Sequence, residues 1–254
     1  MADIECAVEG RVATVTLNRP AMRNAMTLSM WKGIAEIFKQ LGENREVRAI
    51  IFTGADGNFS VGADVSEFAA VRSSARDSAD YEVAVDASSD AIAGVPQPVI
   101  AVVEGYCLGG GCHLSMACDF RFADPTAQFG IPSANLSIIY GVRSTKRLLG
   151  LVGLTKAKRI LYAAERIAAS DAMHVGLVDH LGADAKGDAR TFAEQMAEKA
   201  PLSIAGAKYI LNQTAMGESG SLAQAMIDHA SDSEDYREAR QAFAAKRLPR
   251  FKGH

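Results

Sequence analysis

The feature that most constrains the fold of this chain is a strand pattern that runs through a glycine stretch into a helix. Residues 97–107 (QPVIAVVEGYC) contain an unbroken apolar run typical of a buried strand, and three consecutive glycines follow at 109–111. The segment HLSMAC then has the composition of the first turns of a helix. A second buried-strand pattern, VRAIIFTG, continues into the glycine-rich loop GADGNFSVGAD at 54–64. Repeated units of this kind predict an α/β fold.

Apolar periodicity predicts the other elements of the first half. Alternating apolar and polar residues at 11–20 (RVATVTLNRP) predict a strand that stops at Pro20. A helix is predicted to begin after Thr27, a suitable N-cap residue. Its apolar face consists of Leu28, Trp31, Ile34, Ile37, Phe38 and Leu41. A further helix is predicted at 75–94, and two short strands are predicted around Pro125.

The second half of the chain has a helical pattern with little sign of strands. Four amphipathic segments lie between residues 188 and 246. We therefore predict an α/β core over residues 1–195 and a helical region over residues 196–254. The helical region has more apolar side chains than so small a unit can bury by itself. This excess predicts association between copies of the chain. These side chains are Ile204, Ile210, Leu211, Leu222 and Met226.

Composition excludes several classes of partner. The net charge is −3, so no global positive field attracts nucleic acid or an anionic membrane. There is no apolar run of 18 residues and no basic-then-apolar leader, and we expect a cytoplasmic protein. The cysteines have no CxxC or His–Cys spacing, so we expect free thiols and no metal site. They are Cys6, Cys107, Cys112 and Cys118.

The glycine loops suggest a way to bind negative oxygen. Neither loop matches the dinucleotide or P-loop fingerprints. Glycine allows a ligand to approach the backbone, and free amides at a helix N-terminus donate to anionic oxygen. A second amide from residues 62–64 would complete a two-donor oxyanion hole. The alternative is that the glycines only allow tight packing between strand and helix.

Four segments together resemble the crotonase, or enoyl-CoA hydratase/isomerase, superfamily, and the resemblance covers essentially the whole chain. They are RPAMRNAM (19–26), FSVGADV (59–65), residues 97–132, and GLVD (176–179). The resemblance implies a spiral of ββα units with a C-terminal helical region used for trimerisation. It also implies an acyl-CoA thioester as substrate, with coenzyme A as part of that substrate and no separate cofactor. The implied assembly is a homotrimer or a dimer of trimers.

The resemblance also assigns residues to the site. The two oxyanion amides fall on Ala63 and Gly110. Contacts to coenzyme A or the acyl group are implied for Arg23, Asn24, Ala25, Asp64, Val65, Gly109 and Pro132. Phe243 and Lys246 match C-terminal positions that contact coenzyme A across a subunit boundary. Their spacing of three residues predicts that ring and ammonium lie on one helix face.

The sequence departs from the family pattern where the chemistry occurs. Hydratases of the family carry two glutamates, and here His113 and Ser133 stand at those positions. Hydration uses an acid and a base with separated pKa values, so efficient hydration is not expected. His113 is three residues after Gly110, on the same helix face, and can act as a neutral base or be a core histidine. Ser133 can bind a polar acyl group or only cap a turn.

Tyr140 supports an alternative reaction. The run NLSIIYG (135–141) resembles the branch of the family that decarboxylates malonyl-type CoA esters. Some of those enzymes have a histidine where Ala63 stands here, so this chain lacks part of that pattern. Tyr140 can also be a packed tyrosine with a bonded hydroxyl. A third possibility is a non-catalytic acyl-CoA-binding protein.

Overall fold

The computed structural model describes residues 3–254, which form nine strands and eleven helices. The strands are β1 (Ile4–Glu9), β2 (Val12–Leu17), β3 (Ala49–Gly54), β4 (Val99–Val103), β5 (Tyr106–Leu108), β6 (Phe120–Ala123), β7 (Gln128–Gly130), β8 (Arg166–Ala168) and β9 (His180–Leu181). The helices of the first part are α1 (Leu28–Glu43), α2 (Phe68–Val71), α3 (Ala75–Gly94), α4 (Gly110–Ala117), α5 (Val142–Val152) and α6 (Leu154–Ala163). They are followed by α7 (Ala169–His174), α8 (Ala185–Ala197), α9 (Pro201–Met216), α10 (Ala223–Asp232) and α11 (Glu234–Ala244).

The strands form two sheets. Six strands are arranged in the order β1-β2-β3-β4-β6-β9, with β1 antiparallel to β2 and every other neighbouring pair parallel. The smaller sheet has the order β5-β7-β8. The predicted α/β fold is confirmed. The single strand predicted over 97–107 is wrong, because the chain turns between β4 and β5 and the two segments join different sheets.

Helix α1 forms as its sequence pattern predicts. The Thr27 side chain accepts a hydrogen bond from the Met30 amide, which satisfies one of the free donors of the first turn. Trp31, Ile34 and Phe38 are fully buried against the sheet and α3. This apolar face fixes α1 beside the site described below, since Trp31 reaches the start of α4.

Helix α8 covers the opposite face of the large sheet. A stripe of alanines at four-residue spacing is buried there: Ala185, Ala189, Ala193 and Ala197. The first three of them share an apolar cluster with side chains of β2, β3, β4 and β6. The predicted boundary between residues 195 and 196 falls inside this helix, so the last residues of the predicted core and the first of the helical region belong to one element.

The C-terminal helices leave apolar side chains uncovered. Leu211, Leu222 and Phe243 are exposed, Phe243 by 88% of its surface. The four predicted amphipathic segments correspond to α8, α9, α10 and α11. No helix within residues 3–254 is both long and apolar enough to span a membrane.

Lys208 of α9 anchors the C-terminal helices to the α/β core. Its Nζ lies 2.8 Å from Oδ2 of Asp119 and 2.9 Å from the carbonyl oxygen of Gln97. The same Asp119 oxygen accepts a hydrogen bond from the Val99 amide at 2.7 Å. The buried ammonium and its carboxylate are therefore both satisfied, as burial of charge requires.

Removal of the Lys208 ammonium should destabilise the protein, because the Asp119 carboxylate would lose its cation. We expect Lys208→Ala to lower the free energy of unfolding by about 3–5 kcal/mol, as breaking a buried ion pair does. Denaturant unfolding measures this value. Lys199→Ala removes an exposed lysine just before α9 and should change stability by less than about 0.5 kcal/mol. Equal stability of the two variants would contradict the anchoring role.

Candidate active site

The two glycine loops predicted from the sequence meet in the structure. Gly62 has a φ of +97°, and a Cβ at this position would lie 2.8 Å from the Leu108 carbonyl oxygen and 3.0 Å from the Gly110 nitrogen. No side chain fits there, and L residues rarely adopt this backbone conformation. The loop that follows β3 therefore packs backbone to backbone against the start of α4.

This approach brings two amides to one cavity. The Met26 amide donates to the Gly62 carbonyl at 2.8 Å and the Asp64 amide donates to the Met26 carbonyl at 2.9 Å, so the intervening Ala63 amide points the other way. Gly110 is the first residue of α4 and has no acceptor within the helix. Neither amide has a hydrogen-bond acceptor anywhere in residues 3–254.

The cavity has a volume of about 150 Å³ and is lined by both donor residues. The Trp31 ring packs closely behind the Gly110 amide, since a Cβ at Gly110 would lie only 2.8 Å from this ring. Predicted site residues that line the cavity include Val65, Gly109, Pro132, Ser133 and Tyr140. Two unpaired N–H groups that face a cavity at a helix N-terminus can hold an oxygen that becomes negatively charged.

His113 lines the cavity, but the protein holds its ring on both sides. Nδ1 pairs with the Ser144 hydroxyl, and Nε2 lies 3.3 Å from the Val85 carbonyl oxygen. A neutral ring that donates from Nε2 satisfies both contacts. Burial lowers the pKa of His113 to about 4, and the charge of Arg147 acts in the same direction. Of the two roles considered from sequence, this geometry favours the core histidine.

Tyr140 and Ser133 are placed at the cavity in different ways. The Tyr140 hydroxyl donates to the Gly109 carbonyl at 3.1 Å, and burial raises the pKa of Tyr140, so its phenol stays neutral. Ser133 is buried and follows Pro132, which begins a short 3₁₀ turn. Its hydroxyl has no hydrogen-bond partner in the described part of the chain, and it faces the cavity as an available donor.

Asn24 and Asp64, which were predicted to contact coenzyme A, use their side chains to build the loops. Asn24 is buried, and its Nδ2 donates to the carbonyls of Ala55 at 2.9 Å and Asn58 at 2.7 Å. The Asp64 carboxylate pairs with Arg19 at 2.7 Å. Side-chain contacts from these two residues to a ligand are therefore not available, and Arg19 is a supporting residue that sequence reasoning missed.

Other predicted coenzyme A residues keep an open surface. Arg23 is exposed, and its guanidinium lies 5.3 Å from the centre of the Tyr106 ring. Val65 is exposed at the edge of the cavity. Ala25 is buried and offers its carbonyl to Arg19 at 2.9 Å.

Phe243 and Lys246 lie away from this cavity in the single chain. Both are exposed. The prediction that they share one helix face is wrong, because α11 ends at Ala244 and Lys246 has a φ of +52°. Residues 3–254 contain no cluster of His, Cys, Asp and Glu that could hold a metal ion, and the four cysteines are free.

Sequence reasoning also missed a charged pair at the cavity. Glu82 of α3 is the one carboxylate among the lining residues, and its Oε1 lies 3.1 Å from Nη2 of Arg72. The Arg72 guanidinium stacks over Phe68 and Tyr81, at 5.0 and 5.1 Å from the ring centres. Burial raises the pKa of Glu82. The segment YEVAVDASSD has no strong apolar periodicity, so the sequence held no signal that position 82 faces a site.

The fold and the paired amides define a protein of the crotonase class. A solved structure described as an enoyl-CoA hydratase/carnithine racemase from Magnetospirillum magneticum matches 100% of this chain and 97% of its own, with a TM-score of 0.92 and 31% identity. An enoyl-CoA hydratase structure from Bacillus anthracis matches over 100% of both chains, with a TM-score of 0.89 and 31% identity.

Sequence comparison agrees with the structural match. The family model described as enoyl-CoA hydratase/isomerase matches residues 7–254. A short-chain-enoyl-CoA hydratase from Clostridium acetobutylicum is 31% identical over 245 residues, which is 94% of this chain and 93% of that protein. The chain belongs to the enoyl-CoA hydratase/isomerase family.

The buried neutral His113 should link stability to pH. Its pKa is about 4 in the folded protein and 6.5 in the unfolded chain, so the unfolded state binds an extra proton between these values. The neutral ring makes its full contribution to the free energy of unfolding above pH 6.5. As the pH falls toward 4, this contribution is lost, and the free energy of unfolding decreases by about 3 kcal/mol in total. Denaturant unfolding across this range should show a smaller loss of stability for His113→Gln than for wild type. Parallel pH profiles would argue against a neutral buried ring.

Proposed function

We propose that this chain is an enzyme that binds an acyl-CoA thioester and stabilises its enolate in a two-amide oxyanion hole. The observation that carries the proposal is the pair of unbonded amides, Ala63 and Gly110, at one cavity. When a proton leaves the α-carbon, charge develops on the thioester oxygen. Fixed donors are most effective where such charge develops, because they are already oriented before the reaction.

Efficient hydration is not part of the proposal. Water addition needs one group to activate water and another to deliver a proton to the α-carbon. His113 has both ring nitrogens engaged, and Ser133 carries a neutral hydroxyl in place of a carboxylate. The two positions therefore lack a pair of groups that exchange protons near neutral pH.

The remaining predicted residues have supporting roles in this proposal. Tyr140 fixes the Gly109 carbonyl, and so helps to hold the adjoining Gly110 amide in place. Ser133 offers a hydroxyl to a polar acyl group. Val65 is exposed at the edge of the cavity, and Arg23 is exposed on the segment that bonds to Val61 of the cavity wall, so both are open to the coenzyme A part of the substrate. Coenzyme A arrives as part of the substrate, so no further cofactor is required.

Decarboxylation of a malonyl-type CoA ester is a weaker candidate. It would place a substrate carboxylate in a cavity whose one lining guanidinium, Arg72, already pairs with Glu82. Tyr140 donates to the backbone and Ala63 stands where some decarboxylases of the family have histidine. A non-catalytic acyl-CoA-binding protein is the other alternative, and turnover separates it from an enzyme.

Binding and proton exchange test the proposed function together. Calorimetry with butyryl-CoA should give a dissociation constant in the micromolar range, about −8 kcal/mol. In D₂O the bound ester should exchange its α-protons for deuterium, which NMR detects whatever the natural substrate is. Hydration of crotonyl-CoA should be slow, because each missing acid or base contribution is worth about 10²–10⁴-fold.

Ala63→Pro is the sharpest variant for the oxyanion hole. The backbone hydrogen bonds of this loop are made by Gly62, Asp64 and Met26. Proline at position 63 therefore removes the donor amide without breaking any observed hydrogen bond. Exchange should fall by about 10²–10³-fold while butyryl-CoA still binds. Ala63→Ser keeps the amide and is the matched control. No binding of any CoA ester would refute the proposed function, and exchange that survives Ala63→Pro would refute the oxyanion hole.

We also propose that the protein assembles as a trimer or a dimer of trimers. The exposed side chains of Leu211, Leu222 and Phe243 support self-association, because uncovered apolar surface is costly in water. In such an assembly Phe243 and Lys246 could reach the coenzyme A of a neighbouring copy. Light scattering at micromolar concentration should give three or six times the chain mass, and a monomer would contradict the proposal.

A further inference from the structure

The cavity that contains the two donor amides also contains one carboxylate, and it stands at neither of the family's glutamate positions. We propose that Glu82 of α3 is the residue that takes the α-proton from the acyl-CoA and returns it. The inference rests on the proposed function, because it assumes that a thioester oxygen occupies the hole formed by Ala63 and Gly110.

Contacts on both sides hold Glu82 close to the donor helix. Val85, one turn further along α3, offers its carbonyl to His113, which lies one turn after Gly110 on α4. Tyr81, the preceding residue, accepts a hydrogen bond at 2.8 Å from the Trp31 indole. The Trp31 ring packs directly behind Gly110. The turn of α3 that carries Glu82 is thus fixed against the start of α4 through two separate contacts.

The Glu82 carboxylate has one oxygen held and the other free. Arg72 contacts Oε1 at 3.1 Å, and no residue within 3–254 donates to Oε2. The side chain is half-buried, at the wall of the cavity. Burial raises the pKa of Glu82, Arg72 opposes this effect, and Asp86 adds to it. These surroundings make Glu82 a stronger base than a fully solvated carboxylate, while Arg72 keeps it oriented.

The proposed proton transfer requires only the Glu82 carboxylate, the substrate and the two donor amides. Oε2 of Glu82 takes the α-proton, and the electron pair of the C–H bond becomes the carbon–carbon double bond of the enolate. The carbonyl π electrons move to the thioester oxygen, whose charge the amides of Ala63 and Gly110 hold. Return of the proton from Glu82 to carbon regenerates the carboxylate. One carboxylate serves both transfers, so the site suits movement of a proton between carbon atoms better than addition of water.

Deuterium exchange with butyryl-CoA tests the role of Glu82 directly. Glu82→Gln keeps the shape of the side chain but removes the base, and α-proton exchange should fall by about 10²–10⁴-fold. Binding of butyryl-CoA, measured by calorimetry, should remain. Asp80→Asn is the matched control, because Asp80 is another carboxylate of α3, but it is exposed and does not line the cavity. Its exchange rate should match that of wild type.

The possible outcomes distinguish a failure of the role of Glu82 from a failure of the proposed function. Full exchange in Glu82→Gln, or equal losses in Glu82→Gln and Asp80→Asn, would overturn the role of Glu82. Wild-type protein that binds butyryl-CoA without exchanging its protons would refute the enolate chemistry of the proposed function together with the role of Glu82, and would leave a binding protein. Absence of binding would instead refute the proposed function. If circular dichroism shows that Glu82→Gln is unfolded, Glu82→Asp decides, since a carboxylate shorter by one methylene should exchange more slowly and an unchanged rate would overturn the role.

Discussion

The hydrogen bonds of Ser60 hold together the three chain segments that form the site. Its hydroxyl donates to the Asn24 carbonyl at 2.7 Å and accepts from the Gly62 amide at 3.0 Å. Its backbone amide donates to Tyr106, and its carbonyl accepts from Leu108. Ser60 is fully buried, so these bonds are shielded from water and each of them is needed to satisfy a buried polar group. Ser60 therefore helps to fix the position of the first donor amide relative to the second.

The groups around the donor amides are mostly neutral. Burial keeps His113 unprotonated and keeps the Tyr81 phenol protonated, with its pKa raised to about 12. Glu82 and Arg72 are the exceptions, and they neutralise each other. A cavity with little net charge strengthens the attraction between two amide dipoles and a developing oxyanion, and Arg72 balances the charge of the one carboxylate that lines it.

Family membership and reaction are therefore separate properties of this chain. The fold and the match to the family model are what it shares with the enoyl-CoA hydratase/isomerase family. The sequence resemblance implies glutamates at two positions where this chain has His113 and Ser133, so family membership alone does not assign its proton-transfer groups. His113 instead joins α3 to α5 through Val85 and Ser144, which gives this position a role in holding the site together.

The sequence by itself determined what depends on local pattern. The cap at Thr27, the helix Ala75–Gly94 and the two glycine loops could all be predicted, because capping, periodicity and backbone freedom act within a few residues. Strand Ile4–Glu9 could not, since nearly all of its residues are exposed and show no alternation. Strands β8 and β9 are only three and two residues long, and pairing with distant strands stabilises them. The tertiary structure alone placed Glu82 at the cavity, because the orientation of α3 is set by packing against α1 and α4, which no short stretch of sequence encodes.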